Sequence, residues 1–380
     1  MNLDLGFNKS EEMLKATSLE FMRRDAPKDV IESLHETDLG YTKEIWEKAV
    51  KIGWLGIIIP EKYGGIGDSL TSAGILYEAL GTGPLPGPYF SSGILSSSII
   101  LEAGNEEQKK TILPEIAEGR RILTLALTES EYSWKPESVH TQVNRSNGGY
   151  DINGVKLFTP DAQSATDFII VARIHEEIDS AKSIALFIVD AKSPGISVRE
   201  LPGFFATRTF EVKLNSVKVQ GSARLGNMVD AWPALKRGID KSIPVLCAYK
   251  VGGCQAVFNM ALEYSRIRVQ FGQPIGRFQR VQDMIIKIVN DLDAARWTTY
   301  GCLWKLDTKR PANESVHLAK AVTSQAYWDV CTQAHRVFSG ISYAKDHPLS
   351  FHTKTSRQLY HYLGDPSFHR NQLVQLLLDS

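Results

Sequence analysis

The 380-residue sequence is poor in cysteine and has no cysteine pair at a metal-binding spacing. Its four cysteines lie in the second half of the chain, outside any Cys-x-x-Cys motif, at Cys247, Cys254, Cys302 and Cys331. We expect them to be reduced, packed thiols. The nine histidines show no spacing typical of a zinc site, so no metal is predicted.

The sequence also lacks a charge excess and a long apolar run. Lysine plus arginine and aspartate plus glutamate both number 43, which predicts no attraction to nucleic acid or to an anionic membrane. No apolar stretch approaches about 18 residues, so no membrane-spanning segment is expected. The N-terminal residues show no signal-peptide pattern. The sequence therefore predicts a cytoplasmic protein.

Common nucleotide-binding and nucleophile motifs are missing as well. No Gly-x-Gly-x-x-Gly or Gly-x-x-x-x-Gly-Lys-Ser/Thr motif follows a predicted strand, which argues against a Rossmann or P-loop site. No Gly-x-Ser-x-Gly motif is present, so a hydrolase of the nucleophile-elbow type is not indicated.

The hydrophobic pattern changes twice along the chain and divides it into three parts. Residues 8 to 120 have a helical period, and Asn8 with Glu11 predicts a capped helix start. Short β-branched and aromatic runs follow at 122–127, 150–152, 168–172, 184–189 and 210–214. Helical periodicity returns at 242–265, 278–306 and 312–338. We predict three domains, α–β–α, at residues 1–120, 121–229 and 230–380.

A segment rich in glycine separates the first two C-terminal helices. Its sequence is Tyr264-Ser-Arg-Ile-Arg-Val-Gln-Phe-Gly-Gln-Pro-Ile-Gly-Arg-Phe-Gln279. Gly272, Pro274 and Gly276 predict that one helix ends and the next begins here. By residue class alone the segment could be an ordinary helical hairpin, with its arginine and aromatic side chains pointing outward.

This segment closely resembles the flavin-contacting signature of the acyl-CoA dehydrogenase family. Four further stretches resemble the family in the same order: Trp-Leu-Gly-Ile-Ile-Ile-Pro-Glu-Lys-Tyr-Gly-Gly at 54–65, Leu-Ala-Leu-Thr-Glu at 125–129, Asn-Gly-Val-Lys-Leu-Phe-Thr-Pro-Asp at 153–161 and Tyr-Leu-Gly at 362–364. Each stretch alone is weak, but together they span essentially the full chain. The sequence thus resembles a divergent member that lacks the usual catalytic glutamate.

The resemblance implies an α+β fold with an N-terminal helical domain, a central β-barrel or sandwich and a C-terminal four-helix bundle. It implies that FAD lies between the β domain and the C-terminal helices, partly across a subunit interface. The implied assembly is a homotetramer, or a hetero-oligomer with a paralogous subunit. In the implied reaction a carboxylate removes the α-proton of an acyl-CoA thioester and the flavin accepts the β-hydrogen as hydride. An electron-transfer flavoprotein would reoxidise the flavin.

Position by position, the resemblance assigns ten residues to the cofactor site. Leu127, Thr128, Phe158 and Thr159 would contact the isoalloxazine ring. Arg268 would lie near the pyrophosphate across the interface, where a guanidinium suits phosphate oxygens. The other assigned positions are Phe271, Phe278, Gln279, Arg336 and Gly340. In a protein without the cofactor, these residues would be core aromatics, strand residues and surface ion pairs.

The sequence departs from the family where the catalytic carboxylate is usually found. Most members have a glutamate before the glycine of Tyr-Glu-Gly, at the position of Leu363, and a minority have it on the first long C-terminal helix, at the position of Ser242. A positioned base contributes about 10²–10⁴ in rate, so both absences matter. Asp365 is the nearest carboxylate in the sequence, although Gly364-Asp-Pro-Ser is also typical of an aspartate that caps a helix.

The expected substrate pocket is unusually rich in aromatic residues. Trp134 replaces a small residue near the expected thioester, and Tyr89, Phe90 and Ser91 follow a proline-rich loop at 84–88. Together with Ser242 and Leu363 these residues are predicted to bind the substrate, and the rings would suit a cyclic acyl group. The family's glycine-rich run corresponds to 336–342, where serines at 339 and 342 replace glycines.

Several interpretations of the missing glutamate remain open. The enzyme could use a substitute base such as Asp365. The substrate could have an unusually acidic C–H bond, as in a cyclic or aryl-bearing acyl-CoA. The chain could instead be a catalytically degenerate partner of an active sister subunit. A flavoprotein of this fold with a different acyl-CoA reaction, and a protein without flavin, are further alternatives.

Overall fold

The computed structural model describes residues 6–146, 148–174, 184–203, 208–226, 231–344 and 346–378. The N-terminal part forms helices α1 (Lys9–Arg24), α2 (Lys28–Glu36), α3 (Lys43–Lys51), α4 (Leu70–Gly81), α5 (Ser97–Ala103) and α6 (Glu106–Ala117), with a π-helical segment at Tyr89–Ser96. The predicted capping box is confirmed, because Asn8 Oδ1 accepts from Glu11 N while Glu11 Oε2 accepts from Asn8 N.

Seven strands in the described part of the chain form one mixed sheet. They are β1 (Leu123–Ala126), β2 (Gln142–Ser146), β3 (Gly149–Pro160), β4 (Asp167–Ile174), β5 (Ile184–Asp190), β6 (Ile196–Leu201) and β7 (Thr209–Gln220). Strands β1 and β2 pair in parallel with β4, and β5 pairs antiparallel with it. Strands β2, β3, β7 and β6 then pair antiparallel in that order. The five predicted runs lie in β1, β3, β4, β5 and β7, whereas β2 and β6 were not predicted.

The C-terminal part is again helical. Its elements are α7 (Trp232–Ile267), a short hairpin of β8 (Val269–Gln270) and β9 (Gln273–Pro274), α8 (Gln279–Asp307), α9 (Asn313–Phe338), α10 (Leu349–His361) and α11 (Pro366–Leu378). The three helices expected from periodicity are confirmed, although α7 begins at Trp232, well before the predicted start at 242. The predicted domain boundary at 120 falls between α6 and β1, and the one at 229 lies outside the described residues.

Helix α7 crosses α4 at very short distance. A Cβ atom on Gly252 would lie 1.8 Å from the backbone oxygen of Glu78, and one on Gly81 would lie 1.8 Å from that of Tyr249. Only glycine therefore permits this crossing. Among the described residues, α7 is the one helix long and apolar enough to cross a membrane by length and composition, but 61% of its apolar window is buried inside the protein.

All three parts of the chain meet in one apolar cluster. Leu95 of the π-helical segment, Leu127 at the end of β1, Ile243 of α7 and Leu363 between α10 and α11 are all members. Because these residues come from four separate elements, their packing fixes the β sheet against the helices. The candidate site lies around this junction.

Candidate active site

A cavity of about 440 Å³ lies between the π-helical segment, the end of β3, α7 and the loop after α10. Aromatic rings form much of its wall, among them Tyr77, Tyr89, Phe90, Phe158, Tyr249 and Tyr362. Three of the predicted substrate residues, Tyr89, Phe90 and Ser91, line it. The hydroxyl groups of Tyr89 and Thr355 are buried there without a hydrogen-bond partner among the described residues.

One carboxyl group lines this cavity within the described part of the chain, and it belongs to Asp161. Asp161 directly follows β3, has φ of 55° and is 6% exposed. Its Oδ2 accepts a hydrogen bond of 2.6 Å from Ser91 Oγ. Burial raises the pKa of Asp161 to about 6, although the Ser91 hydrogen bond acts in the opposite direction. No described lysine, arginine or histidine forms an ion pair with it.

A smaller cavity of about 150 Å³ lies on the other side of the loop between α10 and α11. Leu127, Trp134, Ile243 and Leu363 contribute to its wall. Tyr362 faces the larger cavity and Leu363 the smaller one, so consecutive residues of this loop separate the two. Five of the six predicted substrate residues are therefore divided between the two cavities, and Ser242 lines neither.

The backbone of this loop is held by buried side chains. Leu363 and Gly364 have φ of 58° and 94°. His369 Nε2 lies 2.8 Å from Leu363 O, and Lys320 Nζ donates to Gly364 O over 2.7 Å. The Leu363 side chain is only 2% exposed. The usual base position is thus buried, apolar and without an acid.

The other two predicted base positions do not provide a free base either. The Ser242 hydroxyl is fully buried in α7 and donates to Gly238 O over 2.8 Å, and it lines neither cavity. Asp365 Oδ1 accepts from Phe368 N over 2.7 Å and caps α11. The capping alternative considered for Asp365 is therefore the one that the structure supports.

The four predicted isoalloxazine contacts lie together where β1 and β3 meet. Leu157 N donates to Thr128 O, and Thr128 Oγ1 donates to Leu157 O, which ties the two strands together. Phe158 is 42% exposed, whereas Thr159 has a buried hydroxyl without a partner among the described residues. A buried hydroxyl group without a hydrogen-bond partner lowers the stability of the folded protein. Its position beside an exposed aromatic ring is therefore typical of a surface that a ligand covers. These residues fit a planar, partly polar ligand such as a flavin.

The remaining predicted cofactor residues lie at the far end of α7. Arg268, Phe271 and Gln279 are all exposed at or beside the β8–β9 corner, with Phe271 at 92% exposure and φ of 53°. Phe278 packs its edge against Phe271 at 6.1 Å between ring centres, while Arg336 and Gly340 are exposed at and after the end of α9. Leu246 lines the larger cavity and Arg268 follows about 33 Å further along the helix. One chain therefore does not assemble all the predicted cofactor residues in one place.

The serines that replace glycines in the 336–342 run are accommodated at a cost. Ser339 has φ of 60° and ψ of −145°, a conformation that is essentially restricted to glycine. Ser342 Oγ donates to Ser339 O and contacts His335 Nδ1, which fixes the turn. The backbone at position 339 therefore has a conformation typical of glycine, although the residue is serine.

Comparison with known proteins identifies the family. Three domain profiles match in order: the N-terminal domain of acyl-CoA dehydrogenase at residues 8–120, its middle domain at 124–217 and its C-terminal domain at 232–378. The chain belongs to the acyl-CoA dehydrogenase family. Acyl-CoA dehydrogenases are FAD-dependent oxidoreductases, and the chain is such an enzyme.

Relatives match over most of their length. The caffeyl-CoA reductase–Etf complex subunit CarC of Acetobacterium woodii is 26% identical over 98% of this chain and 99% of its own. The 3-(aryl)acrylate reductase of Clostridium sporogenes is 26% identical over 98% and 99%, and the benzylmalonyl-CoA dehydrogenase of Aromatoleum aromaticum is 28% identical over 83% and 85%.

Solved structures show the same fold. The butyryl-CoA dehydrogenase of Megasphaera elsdenii superposes with a TM-score of 0.91, at 23% identity, over 99% of this chain and 100% of that one. The ChsE4–ChsE5 complex of Mycobacterium tuberculosis gives 0.89 at 22% identity, with both chains fully covered. The α–β–α acyl-CoA dehydrogenase fold predicted from the sequence is confirmed.

For this acyl-CoA dehydrogenase, the residues present fit the cofactor. Leu127, Thr128, Phe158 and Thr159 would hold the isoalloxazine, and FAD would supply the hydride acceptor for the substrate's β-hydrogen. Sequence reasoning missed Asp161 as a site residue. Its signal was an acid two positions after Thr159, but its contact with Ser91 joins residues 70 apart and cannot be read from local sequence.

Proposed function

We propose that this acyl-CoA dehydrogenase oxidises the CoA thioester of a cyclic or aryl-bearing acid to its 2,3-enoyl product. The observation that carries the proposal is the larger cavity, whose wall is built largely from aromatic rings, with prolines among them. Rings pack well against rings, with edge-on and offset contacts adding to apolar burial. A rigid aromatic wall favours a flat or cyclic acyl group over a straight chain.

The names of the relatives support an aromatic substrate and a flavoprotein electron acceptor. The caffeyl-CoA reductase, the 3-(aryl)acrylate reductase and the benzylmalonyl-CoA dehydrogenase are named for substrates that carry an aryl ring. The first is named as part of an Etf complex. We infer that an electron-transfer flavoprotein accepts the electrons from this enzyme as well, in the cytoplasm.

We further propose that the enzyme works as a homotetramer or as a hetero-oligomer with a paralogous subunit. Phe271 is almost fully exposed, as is much of the nearby Ile267, and Ile341 and Tyr343 are exposed beyond α9. Exposed apolar surface of this kind marks an interface. The distance along α7 between the cavity and Arg268 supports a cofactor site completed by a neighbouring subunit.

Anaerobic titration of the purified flavoprotein tests the substrate class. We expect aryl and alicyclic acyl-CoA thioesters to bleach the flavin absorbance, and straight-chain thioesters to bleach it far more slowly, because the cavity wall is aromatic and position 363 lacks an acid. Rapid bleaching by butyryl-CoA would contradict the proposal. Bleaching only after a paralogous subunit is added would instead identify a degenerate partner subunit, an alternative that the serines at 339 and 342 favour.

Replacing Arg268 by alanine tests the shared cofactor site. We expect FAD to bind about ten- to a hundredfold more weakly, because a charge-assisted hydrogen bond contributes about 1.5–3 kcal/mol. FAD content after gel filtration and FAD titration of the apoprotein measure the change. Arg266→Ala is the matched control, since Arg266 is likewise exposed two residues earlier. Equal FAD affinity in both variants would show that Arg268 does not contact the cofactor.

A further inference from the structure

We propose that Asp161 is the catalytic base of this enzyme, taking the place of the glutamate that is missing at positions 363 and 242. The inference rests on the proposed function, because it assigns the proton acceptor of that reaction. Asp161 is the one carboxyl group that lines the larger cavity among the described residues. It follows closely after Phe158 and Thr159, which face the expected flavin.

The carboxyl group of Asp161 is oriented by a hydrogen bond to one of its oxygens, and the other oxygen accepts none from the described residues. Ser91 Oγ, from the π-helical segment, donates to Oδ2 over 2.6 Å. Oδ1 accepts no hydrogen bond from the described residues, and Pro160, directly before Asp161, also lines the cavity. A base fixed through one oxygen and open through the other can receive a proton from a bound substrate.

The surroundings of Asp161 suit a base that works near neutral pH. Burial raises its pKa to about 6, so the group is still mostly ionised at neutral pH but more basic than an exposed aspartate. Tyr41, Tyr77, Tyr249 and Tyr362 face it from the α2–α3 loop, α4, α7 and the loop after α10. Burial raises the pKa of all four tyrosines, so they remain neutral in this range.

Among the described residues that line this wall, the one histidine is His361. It lines the same cavity, and burial lowers its pKa below its usual value. A rise in kcat/KM near pH 6 therefore reports the ionisation of Asp161 only if that rise disappears when Asp161 is replaced. The decisive comparison is between the parent enzyme and an Asp161 variant.

A purely structural role does not explain an ionisable group at this position. Asparagine would accept the same hydrogen bond from Ser91 without a buried charge. An unpaired carboxylate in an apolar wall disfavours the folded state at neutral pH. A costly group that lies in a cavity and has no cationic partner among the described residues is typical of a functional site.

The proposed step is a balanced elimination. The C–H bond next to the thioester carbonyl breaks, and its proton moves to Oδ1 of Asp161. The electron pair of that bond forms the new carbon–carbon double bond as hydride leaves the β-carbon, and bound FAD would supply the two-electron acceptor. Asp161 later releases its proton to solvent, and an electron-transfer flavoprotein would reoxidise the cofactor.

The test compares Asp161→Asn with the parent enzyme on a thioester that bleaches the parent. We expect the bleaching rate to fall about 10²–10⁴-fold, the usual contribution of a positioned base. The spectrally measured Kd for the thioester should stay close to that of the parent. Loss of α-deuterium from labelled substrate to solvent should fall with the rate. The parent's rise in kcat/KM through about pH 6 should be absent in the variant.

Two further measurements separate a chemical role of Asp161 from a structural one, and the second of them needs no turnover. Ser91→Ala removes a hydrogen bond that lowers the pKa of Asp161, so it should move the rise in kcat/KM to higher pH. Without any substrate, Asp161→Asn should gain thermal stability relative to the parent as the pH rises from about 4 to about 6 and then hold that gain, because only the parent must ionise a buried carboxyl. Glu47→Gln, on the exposed face of α3 and away from both cavities, is the control for the chemistry and should keep the bleaching rate.

Three outcomes would overturn the proposal. An unchanged bleaching rate in a folded, flavin-loaded Asp161→Asn enzyme would exclude a catalytic role. A large rise in KM with an unchanged kcat in the Asp161→Asn variant would show that Asp161 binds the substrate and is not the base. If kcat/KM of the Ser91→Ala variant rises at the same pH as in the parent, the rise belongs to a group other than Asp161. If no ring-bearing thioester bleaches the parent, the proposed function itself fails, which is a separate result.

Discussion

Replacing Leu363 by glutamate is expected to raise the activity toward straight-chain acyl-CoA by about 10²-fold or more, the lower end of what a positioned base contributes. The loop that holds position 363 is fixed by Lys320 and His369 through its carbonyl oxygens, so a new side chain should not displace it. The carboxylate would face the smaller cavity beside Leu127 and Trp134, where apolar surroundings raise its pKa toward neutrality. Anaerobic bleaching by butyryl-CoA measures the gain.

Leu363→Gln is the matched control, because the introduced side chain has the same shape as glutamate without a base. Equal inertness of the Glu and Gln variants, with flavin and thioester both bound, would contradict the expectation. The double variant with Asp161→Asn is more informative still. If glutamate at 363 restores bleaching in that background, then both cavities open toward the same reacting carbon, and either side of the loop can supply the base.

The loop between α10 and α11 is supported by a group of buried amines and imidazoles. Lys250 and Lys320 are both fully buried, and both amines donate to Ser324 Oγ. Burial, together with the neighbouring amine, holds the pKa of Lys320 well below its usual value. The resulting network orders the backbone of Leu363 and Gly364 without providing an acid. The loop is thus held firmly at position 363, where the side chain is apolar.

The order of helices and strands could be predicted because most elements carry strong local signals. The α1 capping box and the apolar runs of β4 and β5 depend only on neighbouring residues. Strands β2 and β6 were missed because they are largely exposed, with the sequences Gln-Val-Asn-Arg-Ser and Ile-Ser-Val-Arg-Glu-Leu. Their pairing is decided by the strands beside them, β3 and β7, and not by their own pattern.

The candidate site was predictable only in part, for a related reason. Phe271 and Arg268 were expected to point outward because Gly272 and Pro274 end the helix locally, and both are exposed. The role of Asp161 depends instead on a contact between the end of β3 and the π-helical segment. The sequence also leaves open whether Asp365 faces a substrate or caps α11. The direction of its side chain decides this, and in the structure it caps the helix.

Replacing Lys156 by methionine is expected to lower the free energy of unfolding by about 3–5 kcal/mol, the usual result of breaking a buried pair by removing one partner. Lys156 is fully buried, and its Nζ lies 2.6 Å from Glu129 Oε1. Burial lowers the pKa of Lys156 to about 8 although Glu129 opposes this, so the amine keeps its proton at neutral pH. Denaturant unfolding followed by circular dichroism measures the loss.

The same change should weaken flavin binding, since Lys156 Nζ also donates to Leu127 O over 3.3 Å at the expected isoalloxazine contact. Glu129→Gln combined with Lys156→Met is the control, because removing both charges leaves no isolated carboxylate in the sheet. We expect this double variant to recover part of the lost stability, since a glutamine side chain at position 129 can still accept from the backbone N–H of Thr141, as Glu129 does. If the double variant is no more stable than Lys156→Met, the lysine stabilises the protein through packing. The charge pair would then contribute no electrostatic free energy to the contact between the β1 and β3 segments.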